Sequence, residues 1–248
     1  HHEHRRQRQM CIRDSNSRAQ SEMNKMLEIK EVFPSDHFAS AYALIAVPAR
    51  LAVENKNWEL ATELELPKTN LDWDKAPWPK AMLHFSRALG FTNTGNSLAA
   101  QKELDILINL RDRLNEAKNS YESGQVTIQI ESIRGWIEYS KGNTEKAIKY
   151  MKLATKLESE TSKAAVTPGE IIPAEELLAD LYMLSGKPKE ALKSYELNLK
   201  GRPFRFNGIY GAAKAAQKLD NNELAAYYFE KLINCLLYTS DAADDAHG

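Results

Sequence analysis

The chain has 248 residues, of which 43% are hydrophobic and 27% charged, as in ordinary globular proteins. Its 33 basic and 34 acidic residues give a formal net charge of −1, so electrostatics provide no case for binding nucleic acid or anionic lipid. With only 11 glycines and 9 prolines, the sequence is neither collagen-like nor of low complexity. It contains no run of about 18 apolar residues, and we therefore expect no membrane insertion.

The two ends of the chain differ from the part between them, because they have no helical apolar period and no capping residues. The strings MCIRDS near the start and CLLYTSDAADD near the end resemble translated sequencing-adapter sequence. The chain is therefore divided into residues 1–15, a non-native tail; 16–35, a linker or partial helix; 36–234, a helical repeat domain; and 235–248, a second non-native tail. Both cysteines, Cys11 and Cys235, lie in the tails, so no disulfide is expected in the fold.

Between the tails, apolar residues recur at helical spacing and strand signals are nearly absent. Leu177, Leu178 and Leu181, for example, form one apolar stripe that Pro173 precedes and Gly186 ends, as expected for a capped helix. The predicted helices are 36–55, 57–65, 79–93, 97–116, 119–141, 143–158, 173–185, 188–200, 204–218 and 221–234. Pro48 is expected to kink or restart the first of them.

The pair of helices from Ile172 to Pro203 resembles a tetratricopeptide repeat, a motif of two helices in about 34 residues. The residues that match this motif are Leu178, Ala179, Tyr182, Gly186, Ala191, Tyr195 and Pro203. An alanine recurs at the equivalent place of each second helix, at unequal spacing: Ala61, Ala100, Ala147, Ala191 and Ala225. Small residues at these places allow the two helices of a pair to approach closely.

This resemblance implies an all-α fold, a right-handed superhelical solenoid of about five tetratricopeptide-like hairpins with irregular repeat lengths. Over about Phe38–Leu232, the sequence also resembles the C-terminal half of large bacterial tetratricopeptide-repeat proteins that have no settled biochemical role. The wider resemblance predicts a fragment of a longer bacterial protein, located in either the cytoplasm or the periplasm.

The sequence contains no catalytic or cofactor-binding motif, since phosphate-binding loops and the HExxH, CxxC and GxSxG patterns are all missing. The opening HHEH string lies in the first tail and is not interpreted as a metal site. His84 is expected to be packed within a helix, Asp72 and Asp74 to flank a solvated turn, and Thr167–Gly169 to form a structural loop. We therefore expect no enzyme activity, no cofactor and no metal.

In a solenoid of this kind, the first helix of each hairpin lines the concave face. The residues predicted to point into that groove are Arg50, Phe85, Gln129, Trp136, Tyr139, Asn207, Tyr210 and Lys214. Aromatic residues and arginine dominate binding energy at interfaces, which favours a contact role for this set. Alternatively, Trp136 and Tyr139 pack between adjacent hairpins. Glu176 and Asp180, at further groove positions, would repel an acidic peptide tail, so a clamp for such tails is not expected.

These features predict a non-catalytic scaffold that binds a protein or peptide in its concave groove. The alternative is an accessory helical domain of a larger enzyme, whose catalytic part would lie in an N-terminal half upstream of this sequence. A nucleic-acid-binding solenoid is disfavoured, because basic and acidic residues balance within residues 36–234. Self-association is a further expectation, because a solenoid cut at its ends exposes apolar surface.

Overall fold

The structure, a computed structural model, describes residues 16–161 and 170–244, with the side chains of 18–161 and 170–234. Within these ranges every regular element is a helix and no strand occurs, as the periodicity predicts. The described α-helices are α1 (Asn16–Leu27), α2 (Phe38–Glu54), α3 (Trp58–Thr62), α4 (Pro77–Asn93), α5 (Ser97–Glu116), α6 (Ser120–Ser140), α7 (Thr144–Glu160), α8 (Ala174–Leu184), α9 (Pro188–Gly201), α10 (Phe206–Lys218) and α11 (Asn222–Asp244). The predicted tail 1–15 and the Thr167–Gly169 loop lie outside the described residues.

The helices predicted from the apolar period all form, and most of their ends shift by only one to three residues. The expected restart at Pro48 does not occur, because α2 runs unbroken through this buried proline. α1 occupies the first part of the segment 16–35, and α11 continues to Asp244, beyond its predicted end. Residues 222–244 contain neither glycine nor proline, so the sequence offers no breaker at the predicted end.

Six turns between consecutive helices share one backbone conformation. Each contains one residue with positive φ, namely Lys56, Gly95, Lys118, Gly142, Gly186 or Asp220. The next residue in each turn donates its N–H to a carbonyl five residues earlier, as Asn96 does to Phe91 at 2.8 Å. Four of these next residues are asparagines that also cap the following helix through the side chain: Asn57, Asn96, Asn119 and Asn221. All six turns therefore satisfy helix ends through the backbone, and four of them also do so through one side chain.

Residues 20–174 form one compact unit, in which α4 packs against α2, α3, α5 and α6. Gly90 allows α3 to approach α4, since a Cβ atom there would lie 2.8 Å from the Trp58 carbonyl oxygen. Gly135 does the same for α6 and α7, where an added Cβ would lie 2.8 Å from Met151 Cγ. The first helices of three successive pairs, α2, α4 and α6, consequently lie side by side and form one face of this unit.

The loop between α3 and α4 is anchored on α2. A buried apolar cluster joins the two, made of Ala41, Leu44, Leu71 and Ala76, with Met26, Val32 and Trp73 packed against it. Asn70 binds the backbone of Val32 twice, through Nδ2 to the carbonyl oxygen at 3.1 Å and through Oδ1 from the N–H at 2.7 Å. These contacts hold the segment that follows α1 on the same unit.

Residues from 175 onward belong to a second compact unit, which contains α9, α10, α11 and nearly all of α8. Glu176 is fully buried, and its Oε1 accepts from Arg205 Nη2 at 2.9 Å while its Oε2 accepts from Asn198 Nδ2 at 3.1 Å and from Arg205 Nε. α10 packs on α9 at Gly211, where an added Cβ would overlap the Tyr195 ring. A buried ion pair and a glycine contact thus fix the helices of this unit.

Candidate functional site

A narrow cleft lies between α4 and α6, on the face that the first helices form in the unit 20–174. Its walls comprise Trp78, Met82 and Phe85 of α4, Gln125, Ile128, Gln129 and Ser132 of α6, Glu158 of α7, and Glu170, Ile171, Ile172 and Ala174 of the segment that leads into α8. Two predicted groove residues, Phe85 and Gln129, therefore lie in the same cleft. Both side chains are buried, since only 3% of Phe85 and 9% of Gln129 are exposed.

Three buried polar atoms of α6 have no hydrogen-bond partner among the described residues: Gln129 Oε1, Glu131 Oε2 and Trp136 Nε1. Of these residues, only Gln129 lines the cleft. Glu131 retains one partner, because its Oε1 accepts from Arg134 Nη1 at 2.6 Å. Buried polar atoms without a partner are rare in folded proteins, so Gln129 marks the cleft as a candidate site for a hydrogen-bond donor.

The other two predicted groove residues of α6 lie outside this cleft. Trp136 is buried, with 4% of its surface exposed, and Tyr139 is half-buried. Their rings meet edge to face with centroids 6.2 Å apart. Trp136 therefore presents little surface to solvent, and the partly exposed ring of the pair is that of Tyr139.

Arg50, the first predicted groove residue, forms a hydrogen bond to the backbone of one wall of the cleft. Its Nη2 donates to the Glu170 carbonyl oxygen at 3.0 Å and to the Tyr42 hydroxyl at 3.4 Å. Burial raises the pKa of Tyr42, although the positive charge of Arg50 opposes this effect. The Arg50 side chain thus links α2 to the segment that leads into α8.

Aromatic rings from the first helices meet beside the cleft, and sequence reasoning missed this group. Trp78 is the common member, with ring centroids 5.8 Å from Phe38, 5.5 Å from Tyr42 and 5.7 Å from Tyr121. The sequence signal is positional: an aromatic residue stands first or second in α2, α4 and α6. Because Trp78 also lines the cleft, these rings support its apolar wall.

A separate polar cluster joins α4 to α5 and to the loop that follows α3. His84 Nδ1 lies 2.6 Å from Glu103 Oε2, and Arg87 donates to Glu103 Oε1 at 2.8 Å and to the Leu64 carbonyl oxygen at 2.8 Å. Burial alone would raise the pKa of Glu103, but the hydrogen bonds from His84 and Arg87 outweigh it and lower that pKa. Because these bonds connect two helices and the loop that follows α3, we interpret the cluster as structural, and His84 is packed as expected.

The remaining predicted groove residues lie on α10, in the second unit. Tyr210 is 47% exposed and its ring stacks with that of Phe206, at a centroid distance of 6.4 Å. Lys214 is exposed and follows Tyr210 by one helical turn, whereas Asn207 is half-buried. Tyr210 and Lys214 therefore form an exposed aromatic and basic strip on a first helix.

Glu176 does not face an open groove, contrary to the sequence-based placement. It is fully buried and pairs with Arg205, so its charge is compensated inside the unit. Asp180 accepts a hydrogen bond from the Tyr195 hydroxyl. The argument that Glu176 repels an acidic peptide therefore loses its basis. The pairing gave no sequence signal, because the two charged residues are 29 positions apart.

In the parts of the chain that the structure describes, no group of three or more His, Cys, Asp or Glu side chains suited to a metal ion occurs. Asp72 caps the 3-10 helix Trp73–Lys75, because its Oδ1 accepts from the Asp74 N–H at 3.2 Å. The two aspartates therefore belong to a turn. Among the described helices, none combines the length and apolar character needed to cross a membrane.

The described fold is that of an all-α protein built from consecutive helical pairs. No protein-family model matches the sequence, and no curated protein is similar enough to it to count as a match. Its function is therefore inferred from its own fold and contacts.

Proposed function

We propose that this chain is a non-catalytic scaffold of the tetratricopeptide type, which binds a protein or peptide on the surfaces that its first helices form in each compact unit. The observation that carries this proposal is the side-by-side packing of α2, α4 and α6. In helical repeat proteins, such stacking creates an extended surface on which partners bind. A right-handed superhelix and a bacterial origin belong to the same proposal.

The packing of small residues supports the tetratricopeptide assignment. The alanines predicted at the helix crossings are all buried, with exposed fractions of 0% for Ala61, Ala100, Ala147 and Ala191 and 3% for Ala225. Gly186 adopts φ of +69° in the turn that the motif places there. The motif positions thus coincide with the places where helices pack closely or the chain reverses.

The exposed strip on α10 offers a partner contact that fits this function. Tyr210 presents nearly half of its surface to solvent, and Phe206 beside it is 48% exposed. Tyrosine contributes strongly to binding energy because it provides a large apolar area together with a hydroxyl group. Lys214 adds a positive charge one turn further along the helix.

Selection from a random peptide library against the full chain tests the proposal. We expect enriched peptides with dissociation constants of about 1–100 μM. Tyr210→Ala should weaken their binding about tenfold. The matched control is Tyr227→Ala, because Tyr227 is 56% exposed but lies on the second helix of its pair. Failure to enrich any peptide, or equal losses in the two variants, would overturn the proposal.

A further inference from the structure

A second pocket opens between α5, α6 and α7, and it shares no lining residue with the narrow cleft. Its volume is about 210 Å³. A water molecule takes up about 30 Å³ in the liquid, so the pocket has room for about seven waters, or for a ligand of seven to nine non-hydrogen atoms. All of its lining residues belong to the unit 20–174, in which α6 packs against both α5 and α7.

Three side chains on the pocket wall carry hydrogen-bond donors that no described residue satisfies, and we call them the donor set: Arg134, Lys141 and Tyr150. Arg134 uses only Nη1, which donates to Glu131 Oε1 at 2.6 Å, so the rest of its guanidinium fork is available. The Lys141 ammonium lies 3.7 Å from Glu138 Oε1, beyond hydrogen-bonding distance. The Tyr150 hydroxyl has no partner among the described residues.

The acceptors of the wall, by contrast, are mostly in use. Glu138 Oε1 lies 3.2 Å from Lys146 Nζ, and Glu138 Oε2 accepts from Asn143 Nδ2 at 2.9 Å. The hydrogen bond from Asn143, assisted by Lys146, lowers the pKa of Glu138. Gln101 donates its Nε2 to Asp105 Oδ1 at 3.0 Å, which leaves its amide oxygen as an acceptor. Because unused donors outnumber unused acceptors, and two of the three charged wall residues are cations, the pocket favours an anion that accepts hydrogen bonds.

The remaining lining is apolar and restricts the anion further. This apolar wall consists of Leu104 and Ile137, which are 4% and 2% exposed, and of Ile108, which is half-buried. A guanidinium fork matches the two oxygens of a carboxylate or a phosphate. An inorganic phosphate would leave the apolar wall uncovered, whereas a carboxylate with a short branched alkyl body would cover it and gain from that burial.

We propose that this pocket binds a small free carboxylate with a branched apolar body. The donor set holds the carboxylate, and the alkyl body packs on the apolar wall. The site goes beyond the proposed peptide-binding function, because none of its lining residues belongs to the predicted groove set. Binding of the acid and enrichment of peptides are measured separately, so either proposal can fail without the other.

The test titrates the full chain with probes of matched shape while amide NMR shifts are followed. The probe acid is 3-methylbutanoate, its neutral isostere is 3-methylbutanamide, and acetate lacks the branched body. We expect the acid to shift residues of α5, α6 and α7 with a dissociation constant of about 1–10 mM, and the amide and acetate to bind about tenfold more weakly. Equal binding of acid and amide, tighter binding of inorganic phosphate, or no shifts in these helices would overturn the proposal. Tighter binding of N-acetyl-leucine, which represents the carboxyl end of a peptide, would overturn the assignment to a free acid.

Variants of the donor set decide which groups hold the carboxylate. Arg134→Lys should weaken the acid about tenfold without changing the amide, because it keeps a positive charge beside Glu131 but loses the planar fork. Tyr150→Phe removes only a hydroxyl group and should weaken the acid about three- to tenfold, which provides an independent readout if the lysine variant does not fold. The matched control is Lys149→Met, an exposed lysine of α7 that does not line the pocket, and it should leave both probes unaffected. Unchanged affinity in Arg134→Lys and Tyr150→Phe, or an equal loss in Lys149→Met, would show that the donor set does not bind the acid.

Discussion

The buried ion pair of the second unit gives the sharpest prediction about stability. Glu176 is 0% exposed and Arg205 is 5% exposed, so the carboxylate has little access to water. Arg205→Met removes two of the hydrogen bonds to this carboxylate and leaves Asn198 Nδ2, at 3.1 Å, as a donor to it. Removing one partner of a buried pair typically costs about 3–5 kcal/mol. We expect Arg205→Met to lower the free energy of unfolding by an amount in that range at neutral pH.

The pH dependence of this loss follows from the same burial. Without Arg205, the buried Glu176 carboxylate favours its neutral form, so its folded-state pKa lies above that of the unfolded chain. Destabilisation is then greatest at neutral pH, and it diminishes as the pH falls and the carboxyl group takes up a proton. Replacing both charges, with Glu176→Leu and Arg205→Met together, should recover at least about 2 kcal/mol, because no uncompensated charge remains buried.

Urea denaturation of the full chain measures these effects unit by unit. All four tryptophans, Trp58, Trp73, Trp78 and Trp136, belong to the unit 20–174, so their fluorescence reports on that unit, whereas circular dichroism reports on every helix. We expect the circular dichroism transition of the Arg205→Met variant to shift to lower urea concentration. Lys193→Met, an exposed control on α9, should stay within about 0.5 kcal/mol of the unchanged chain. A loss below about 1 kcal/mol in Arg205→Met, or no recovery in the double variant, would refute the ion-pair argument.

Three further changes probe the rest of the fold by denaturation. Ala191→Leu should cost about 1–3 kcal/mol or more, because Ala191 is fully buried where α8 and α9 meet; an unchanged thermal midpoint would contradict the repeat alignment. Lys118→Gly should raise the free energy of unfolding by about 0.5–1 kcal/mol, because φ of +58° at this exposed position strains any residue with a Cβ. A lower urea midpoint would contradict this expectation. Glu103→Gln should cost about 1.5–3 kcal/mol at neutral pH. Because the pKa of Glu103 is lowered, the stability that its carboxylate contributes is complete above the unfolded-state pKa and is lost as the pH falls through the lower folded-state pKa. The difference in free energy of unfolding between Glu103→Gln and the unchanged chain should therefore narrow in acid.

The helices and their crossings were predictable because they depend on local periodicity. A helix can be predicted from apolar residues that lie within two turns of one another, such as Leu177, Leu178 and Leu181. All three of these residues are buried as expected. The alanines at the helix crossings follow from the same local pattern. Boundaries differed where the sequence has no stop signal, as at the end of α11.

The candidate site was less predictable, because it is assembled from distant segments. Phe85 and Gln129 were both selected as groove residues, yet their burial depends partly on the segment 170–174, which returns to α4 and α6 from elsewhere in the chain. Apolar periodicity shows which face of a helix is covered but not which segment covers it. The partner of Glu176 was hidden for the same reason, since no local rule connects a residue to another 29 positions later.

The shared turn has a consequence for how the chain tolerates changes of length. Each turn closes through its own backbone hydrogen bonds. It therefore fixes the angle between the axes of the two helices that it joins, whatever their lengths. Each residue added inside a helix rotates everything beyond it by about 100°. An insertion of four or seven residues restores the rotational phase to within about 40°, whereas one of two residues turns the apolar stripe toward solvent. Unequal repeat lengths are therefore compatible with a single kind of junction, provided that the lengths differ by whole helical turns.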